Sequence, residues 1–287
     1  MNNVGIVANL NKENALDSVK NIVDWLEQRG IAPRLEERLG AAMGREGFSL
    51  SELPNHCELM IVMGGDGTLL AVARHACRTR LPLLGVNLGG LGFLTELTVS
   101  EVAPTLERIR QGQLVVEERM MLEARVEDNL GLVTSRYVCL NDAVINKSAF
   151  SRAVQINMCV SDVYVGTFLA DGLIVSTPTG STAYSLSAGG PVMKPTIEAL
   201  IATPICPHTL AVRPLIFSKD EELKIEVLAD ESEVTLTLDG QEGRRLAKGE
   251  KALFSRAKET TLLVCSGDRS FYEVLRTKLG WGGLAKR

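Results

Sequence analysis

At 287 residues, 45% hydrophobic and 23% charged, the chain has an ordinary globular composition and room for two modest cores or one large one. Its net charge is −4 and its basic residues do not cluster, which argues against nucleic acid or an anionic membrane as a partner. No apolar run reaches membrane length and no secretory pattern opens the chain, so a cytoplasmic protein is expected.

Residues 3–97 alternate strand and helix signals. Val4–Ala8 reads as a first strand. Ala15, Val19, Ile22, Val23 and Leu26 recur at helical spacing, and Gly30 stops that helix. Ile31–Leu35 predicts a short second strand. Residues 36–57 show no clear period and carry Gly40, Gly44, Gly47 and Pro54, which predicts a loop or lid near the site. The continuous apolar runs Leu59–Met63 and Leu81–Val86 suit buried parallel strands. Together these signals predict a parallel, Rossmann-like α/β layer.

After Ser100 a helix is expected to Arg110, with Pro104 near its first turn and Gly112 at its end. From Leu114 the period changes to two. Leu122, Ala124 and Val126 alternate with charged residues, and so do Leu223, Ile225 and Val227. Val154, Ile156, Met158 and Val160 alternate with mostly polar neighbours, and Val234, Leu236 and Leu238 with threonines. Antiparallel sheets with one wet face, packed as a sandwich, follow from this pattern. Phe271–Leu279 looks helical again. The six cysteines, at 57, 77, 139, 159, 206 and 265, have no Cys-x-x-Cys spacing and read as reduced thiols; the three histidines make no zinc pattern.

Two segments carry chemistry. The first strand-turn-helix signal of interest ends the Leu59–Met63 run in Gly64-Gly-Asp-Gly-Thr68. Such a turn places backbone N–H groups and a helix N-terminus at a phosphate, with Asp66 at the carboxyl end of a strand. It is neither a Walker A loop nor the Rossmann fingerprint, because no Gly-Lys-Ser/Thr follows and residue 70 is Leu. Asp66 would also serve as a helix N-cap. The second segment, Asp171–Pro191, runs from an acidic residue through an apolar strand into a Thr/Ser/Gly tract. Hydroxyls at Ser176, Thr177, Thr179, Ser181 and Thr182 can donate to phosphate or ribose, and Tyr184 offers a ring face to a base. This is the composition of a nucleotide cradle rather than of a linker.

Gly64–Thr68 resembles a motif shared by NAD kinases, 6-phosphofructokinases and the diacylglycerol and sphingosine kinases. Asp171-Gly172, Asn87–Leu94, Leu140–Asp142, Thr179–Pro191, Pro207–Leu210, Arg213–Leu215 and Lys278–Trp281 resemble the NAD kinases specifically, closest to the bacterial members. The resemblance implies transfer of a terminal phosphoryl group to the 2′-hydroxyl of the adenosine ribose of NAD, giving NADP. ATP, or in some members polyphosphate, is the implied donor, with Mg²⁺ or another divalent cation. By resemblance Asp66 is the general base, and Gly65, Gly67 and Thr68 hold phosphate. For NAD the implied contacts are Gly67, Phe93, Asn141, Asp142, Asp171, Thr182, Ala183, Tyr184 and Ser187. Asn141 and Asp142 would hold the ribose hydroxyls, where the Asp142 charge would repel a 2′-phosphate. Phe93 would lie beside adenine and Ser187 near the nicotinamide half. Asp171 reaches adenine or the nicotinamide amide, in some members across a subunit boundary. Asn87 is a weaker correspondence. Leu169 departs from relatives that carry Arg or Lys there, which bears on NADH use.

The expected domains are residues 1–99 with 268–287, carrying the glycine turn, and the β-rich residues 100–267, which bind NAD and form a homodimer or homotetramer. The family resemblance implies that the terminal helix returns to the first domain, with the site at the junction of the two. Alternatives from other classes are a lipid kinase and a dinucleotide sensor without catalysis.

Overall fold

The computed structural model describes residues 1–147, 153–228, 234–265, 267 and 269–281, and forms two compact units, residues 1–118 with 261–287 and residues 119–260. No described helix is long and apolar enough to cross a membrane.

The first unit contains β1 (Asn3–Ala8), α1 (Ala15–Glu27), β2 (Ala32–Glu36), α2 (Glu37–Met43), β3 (Gly47–Phe48), β4 (Leu59–Gly64), α3 (Asp66–Ala76), β5 (Pro82–Asn87), β6 (Leu97–Thr98) and α4 (Val99–Arg110). Its strands run in the order β5-β4-β1-β2-β3, all parallel. Every residue of β4 is buried, as expected for a parallel strand covered on both faces. Val19, Ile22, Val23 and Leu26 of α1 pack on β1 and β4, giving the core its helical layer.

Residues 36–57 are not a loop. Glu36 caps α2 by accepting the Leu39 N–H at 3.2 Å, and Gly44 ends the helix at φ 66°. β3 then pairs with β2, and a short 3-10 turn spans Leu53–His56. Leu39 and Leu53 are wholly buried and anchor the segment. A seven-residue helix in which Leu39 is the one large buried residue is too short to show a period.

The second unit continues with β7 (Val116–Glu127), β8 (Val133–Cys139), β9 (Asp142–Lys147), β10 (Val154–Val160), β11 (Val163–Ala170), β12 (Gly172–Ser176), α5 (Tyr184–Ser187), β13 (Ala199–Ile205), β14 (Leu215–Ser218), β15 (Leu223–Leu228), β16 (Val234–Leu238), β17 (Glu242–Leu246) and β18 (Lys251–Val264). One antiparallel layer is β11-β10-β15-β18, with β7 on β18 and β8 on β7; the other is β14-β13-β12-β9-β16-β17. The alternating residues predicted to point inward do so. Leu122, Ile156 and Ile225 of one layer share a core with Ile145, Val175 and Leu236 of the other. The opposite face of the second layer carries Asp142, Val144 and Asn146 of β9, Ser176 of β12, and Thr235 and Thr237 of β16.

The unit boundaries differ from the expected ones. α4 belongs with the first unit because Val102 and Leu106 pack with α1, so the division follows the helix instead of preceding it. At the other end, Leu262 and Leu263 already pair in parallel with Pro82 and Leu83 of β5. α6 (Phe271–Leu279) joins the first unit, where Arg269 donates to the Glu96 carbonyl and to Glu101 at 3.1 Å. Residues 268 and 282–287 of the expected returning segment lie outside the described residues.

Candidate active site

In the first unit the site begins with Asp66. It is the first residue of α3, and Gly65 occupies the cap position, so Asp66 is not the helix cap. Its carboxylate instead reaches the loop after β5. Oδ2 accepts the Phe93 N–H at 2.9 Å. Oδ1 accepts the Leu94 N–H, the Thr95 N–H and the Thr95 hydroxyl, each at 3.0 Å. Charge-assisted bonds of this kind are the strong ones, and they fix the carboxylate's orientation. Oδ2, with one donor, keeps the larger free acceptor capacity.

Asn87 holds the other side of the loop. Its amide donates to the Gly90 carbonyl and to Thr95 Oγ1 at 3.1 Å, and its carbonyl accepts the Gly89 N–H. A chain therefore runs from Asn87 through Thr95 to Asp66. Gly92 is demanded by this packing: a Cβ there would lie 2.1 Å from Asp66 Oδ1 and 2.4 Å from Thr95 Oγ1. Phe93 is half-buried, so it is not a core residue.

In the second unit the turn before β9 is tied down by Asp239. Its carboxylate accepts the N–H groups of Leu140 at 3.2 Å, Asn141 at 2.8 Å and Asp142 at 3.3 Å. Asp239 and Gly240 both have positive φ, 49° and 65°, the conformation of a tight hairpin turn. Thr177 clamps the opposite side, donating its hydroxyl to the Leu140 carbonyl at 2.6 Å and its N–H to the Asn141 carbonyl at 2.9 Å. Gly180 closes on the same peptide, where a Cβ would stand 2.1 Å from the Asn141 carbonyl oxygen.

A cavity of about 410 Å³ opens beside this turn. Asn141, Asp142, Asn146, Ala183, Tyr184, Thr235, Thr237 and Asp239 line it. Asp142 is buried, and its carboxyl is pushed up to about 7, first by loss of hydration and then by the nearby Asp239 charge. A carboxyl raised this far takes up a proton far more readily than an exposed aspartate, which the sequence-based picture of a fixed carboxylate did not include. Ser176 pairs with Asp142 across β12 and β9; its hydroxyl is fully buried and makes no hydrogen bond among the described residues.

The predicted residues fall into three sets. Gly65, Asp66, Gly67, Thr68 and Phe93 gather around α3 and the loop after β5. Asn141, Asp142, Ala183 and Tyr184 share the cavity. Thr182 sits beside it with its hydroxyl directed to the Thr179 carbonyl at 3.3 Å, and Ser187 is exposed. Asp171 stands apart. It pairs with Lys147 at 3.0 Å, while Asn141 and Asp142 lie at the other end of β12, about 16 Å along the strand. The reading of the Ser/Thr tract as a row of ligand donors is corrected: Ser176, Thr177, Thr179 and Ser181 are buried, and Thr177 and Ser181 bond to backbone. Asp239 escaped the sequence reading, although Asp239-Gly240 between two alternating runs signals a hairpin. Thr95 carried no signal.

Among the described residues no three His, Cys, Asp or Glu side chains form a metal cage. Mg²⁺ commonly enters on substrate phosphates and keeps several waters, so a protein cage is not required of this site.

The ATP-NAD kinase N-terminal domain profile matches residues 4–114, and the ATP-NAD kinase C-terminal domain profile matches residues 140–266. An NAD kinase of Syntrophotalea carbinolica is 45% identical over 284 residues, covering 98% of this chain and 99% of the relative. One of Geobacter metallireducens is 45% identical over 282 residues with the same coverage. Among solved structures, yeast NADH kinase complexed with NADH superposes at a TM-score of 0.90 with 20% identity, covering 99% of this chain and 88% of its own. An NAD kinase from Archaeoglobus fulgidus in complex with ATP gives 0.75 with 22% identity and 97% coverage of each. These structures share the fold. Neither a lipid kinase nor a sensor without catalysis finds support in these comparisons.

Proposed function

The chain belongs to the NAD kinase family and is a phosphotransferase acting on NAD with ATP; we propose the following division of labour among its residues. Asp66 Oδ2 accepts the proton of the adenosine 2′-hydroxyl. The O2′–H bond breaks, O2′ bonds to the γ-phosphorus of ATP, and ADP leaves with the bridging oxygen. Phosphoryl transfer depends on positioning and charge neutralisation, so the backbone at Gly65 and Gly67 and the Thr68 hydroxyl hold phosphate, and Mg²⁺ arrives with the donor.

The reading of the dinucleotide contacts rests on one observation: Asn141 and Asp142 share a cavity with Tyr184. Asn141 and Asp142 take the ribose hydroxyls, since a carboxylate can accept from two of them. Tyr184 and Phe93 offer ring faces to adenine, Thr182 and Ala183 border the adenosine, and Ser187 lies toward the nicotinamide half. Asp171, remote from Asn141 along its own strand, recognises the dinucleotide held by a neighbouring subunit. A homodimer or homotetramer is consistent with edge strand β11, which exposes Val163, Tyr164, Val165 and Leu169. Six free cysteines suit a reducing cytoplasm.

Incubating purified protein with NAD, Mg²⁺ and either ATP or polyphosphate tests the assignment. NADP should form with ATP, and comparison of the two donors fixes the donor range. Absence of NADP with both would overturn the functional reading.

A further inference from the structure

The first unit contains a second cavity, of about 430 Å³, at the carboxyl ends of β1 and β2. Asn9, Asn11, Glu36, Arg38 and Thr68 supply its polar lining. Its place follows from topology. From β1 the chain builds outward to β2 and β3 on one side, and later to β4 and β5 on the other. β1 and β4 therefore flank the point where strand order reverses, the place where open α/β sheets bind ligands, and the cavity lies next to it on the β2 side, with Thr68 after β4 reaching its lining. The Asn9 N–H donates to the Met63 carbonyl at 2.9 Å, tying the two strand ends together just before their chains separate. One chain goes on to Asn11, and the other becomes the glycine turn and α3.

Arg38 is unusual in this setting. It lies in the first turn of α2, at the positive end of the helix dipole, where a cation is unfavourable. The neighbouring arginines are engaged: Arg34 donates to Asn3 at 3.0 Å, and Arg45 pairs with Glu27. Arg38 makes no hydrogen bond or ion pair among the described residues, yet it lines the cavity. Glu36 is committed to α2, accepting the Leu39 N–H. An exposed, unpaired arginine thus borders a polar crevice that Thr68 of the glycine turn also lines. That turn contains no lysine, so it lacks the cation that a phosphate-binding loop often provides.

We propose that Arg38 binds the phosphate chain of the donor in this cavity, supplying the positive charge that Gly64–Thr68 lacks. Guanidinium matches phosphate through paired N–H donors, whereas an ammonium acts as a point charge. The inference rests on the NAD kinase reading and adds a donor-binding residue to it.

The experiment varies ATP at saturating NAD. Arg38→Ala should raise the KM for ATP about 5–30-fold, the size of one charge-assisted contact, with the KM for NAD within about 2-fold of the parent. Arg38→Lys should fall between. Inorganic tripolyphosphate should compete with ATP, and its inhibition constant should weaken in Arg38→Ala by a similar factor. Arg45→Ala, which loses only a surface ion pair, should leave the KM for ATP unchanged. Thermal melting of each variant checks that it is folded. A folded Arg38→Ala with the parental KM for ATP, or with an equal rise for NAD, would overturn the proposal. If the parent itself makes no NADP, the functional reading fails instead. Calorimetric titration of tripolyphosphate into parent and Arg38→Ala then still decides the role of Arg38: equal affinities refute it.

Discussion

The Thr95 hydroxyl and the Thr95 N–H both donate to Asp66 Oδ1, each at 3.0 Å. The residue assigned as proton acceptor is therefore also the anchor of the loop after β5. Substituting it tests two roles at once, and these separate by readout.

Asp66→Asn removes the proton acceptor and replaces one oxygen with a donor. If the amide oxygen serves Leu94 and Thr95, its NH₂ meets the Phe93 N–H, donor against donor. We expect kcat to fall about 10²–10⁴-fold, the usual size of a general-base contribution, with a stability loss of about 1–3 kcal/mol. NAD affinity, measured by calorimetry, should change far less. Near-normal turnover would leave Asp66 as a loop anchor only.

Gly92→Ala places a methyl 2.1 Å from Asp66 Oδ1. The carboxylate cannot yield without losing the donors from Phe93, Leu94 and Thr95. Activity should drop at least about 10-fold, with destabilisation of about 1–3 kcal/mol by denaturant titration. A fully active, stable variant would show that the loop adopts another arrangement when working.

Asp142 gives a pH signature. Burial and Asp239 raise its folded pKa from 3.8 to about 7, so the folded state binds the extra proton between those values. Its contribution to stability is present below about pH 4 and lost as pH rises toward 7, by about 1–3 kcal/mol. Ribose hydroxyls favour the carboxylate, so NAD should bind more tightly from pH 6 to 8 and release protons on binding. Asp142→Asn should flatten both profiles. Asp239→Asn keeps an acceptor for the turn but removes the charge, and should move the profile to lower pH. Asp142→Ala should weaken NAD by about 1–3 kcal/mol and NADP less. Identical pH profiles in the parent and Asp142→Asn would show that another group titrates.

Asp171 tests the assembly. Light scattering should give a mass above the 31.1 kDa of one chain, most simply four times it. Mixed oligomers of Asp66→Asn and Asp171→Ala should recover activity that neither parent has. Hybrids that demonstrably form but stay inactive would place both residues in the service of one chain's site.

Much of this was legible in the sequence, and the limits are physical. β4 and its glycine turn announced themselves because a strand buried on both faces must be apolar throughout. The strands of the second unit were visible through strict alternation. α2 was not, since its single large buried residue, Leu39, leaves no period to detect. Nor could residue type reveal direction: Thr177 and Ser181 have the hydroxyls of a ligand cradle but donate them to backbone carbonyls. Asp142 shows the same limit in charge, because its proton affinity depends first on its burial in the fold and then on Asp239, 97 residues away in sequence.

β12 has five residues, all buried, and is hydrogen-bonded on both sides by β9 and β13. Asp171 precedes it and the Thr177 clamp on the Asn141 turn follows it. A strand held on two flanks cannot stretch or slip, so it acts as a stiff rod between those ends. If Asp171 touches a neighbour's dinucleotide, that contact presses on one end of the rod while the chain's own ribose turn hangs on the other. Occupancy of one subunit would then bias its neighbour without any hinge or mobile loop, and the sign of cooperativity in NAD saturation curves would report the direction of the push.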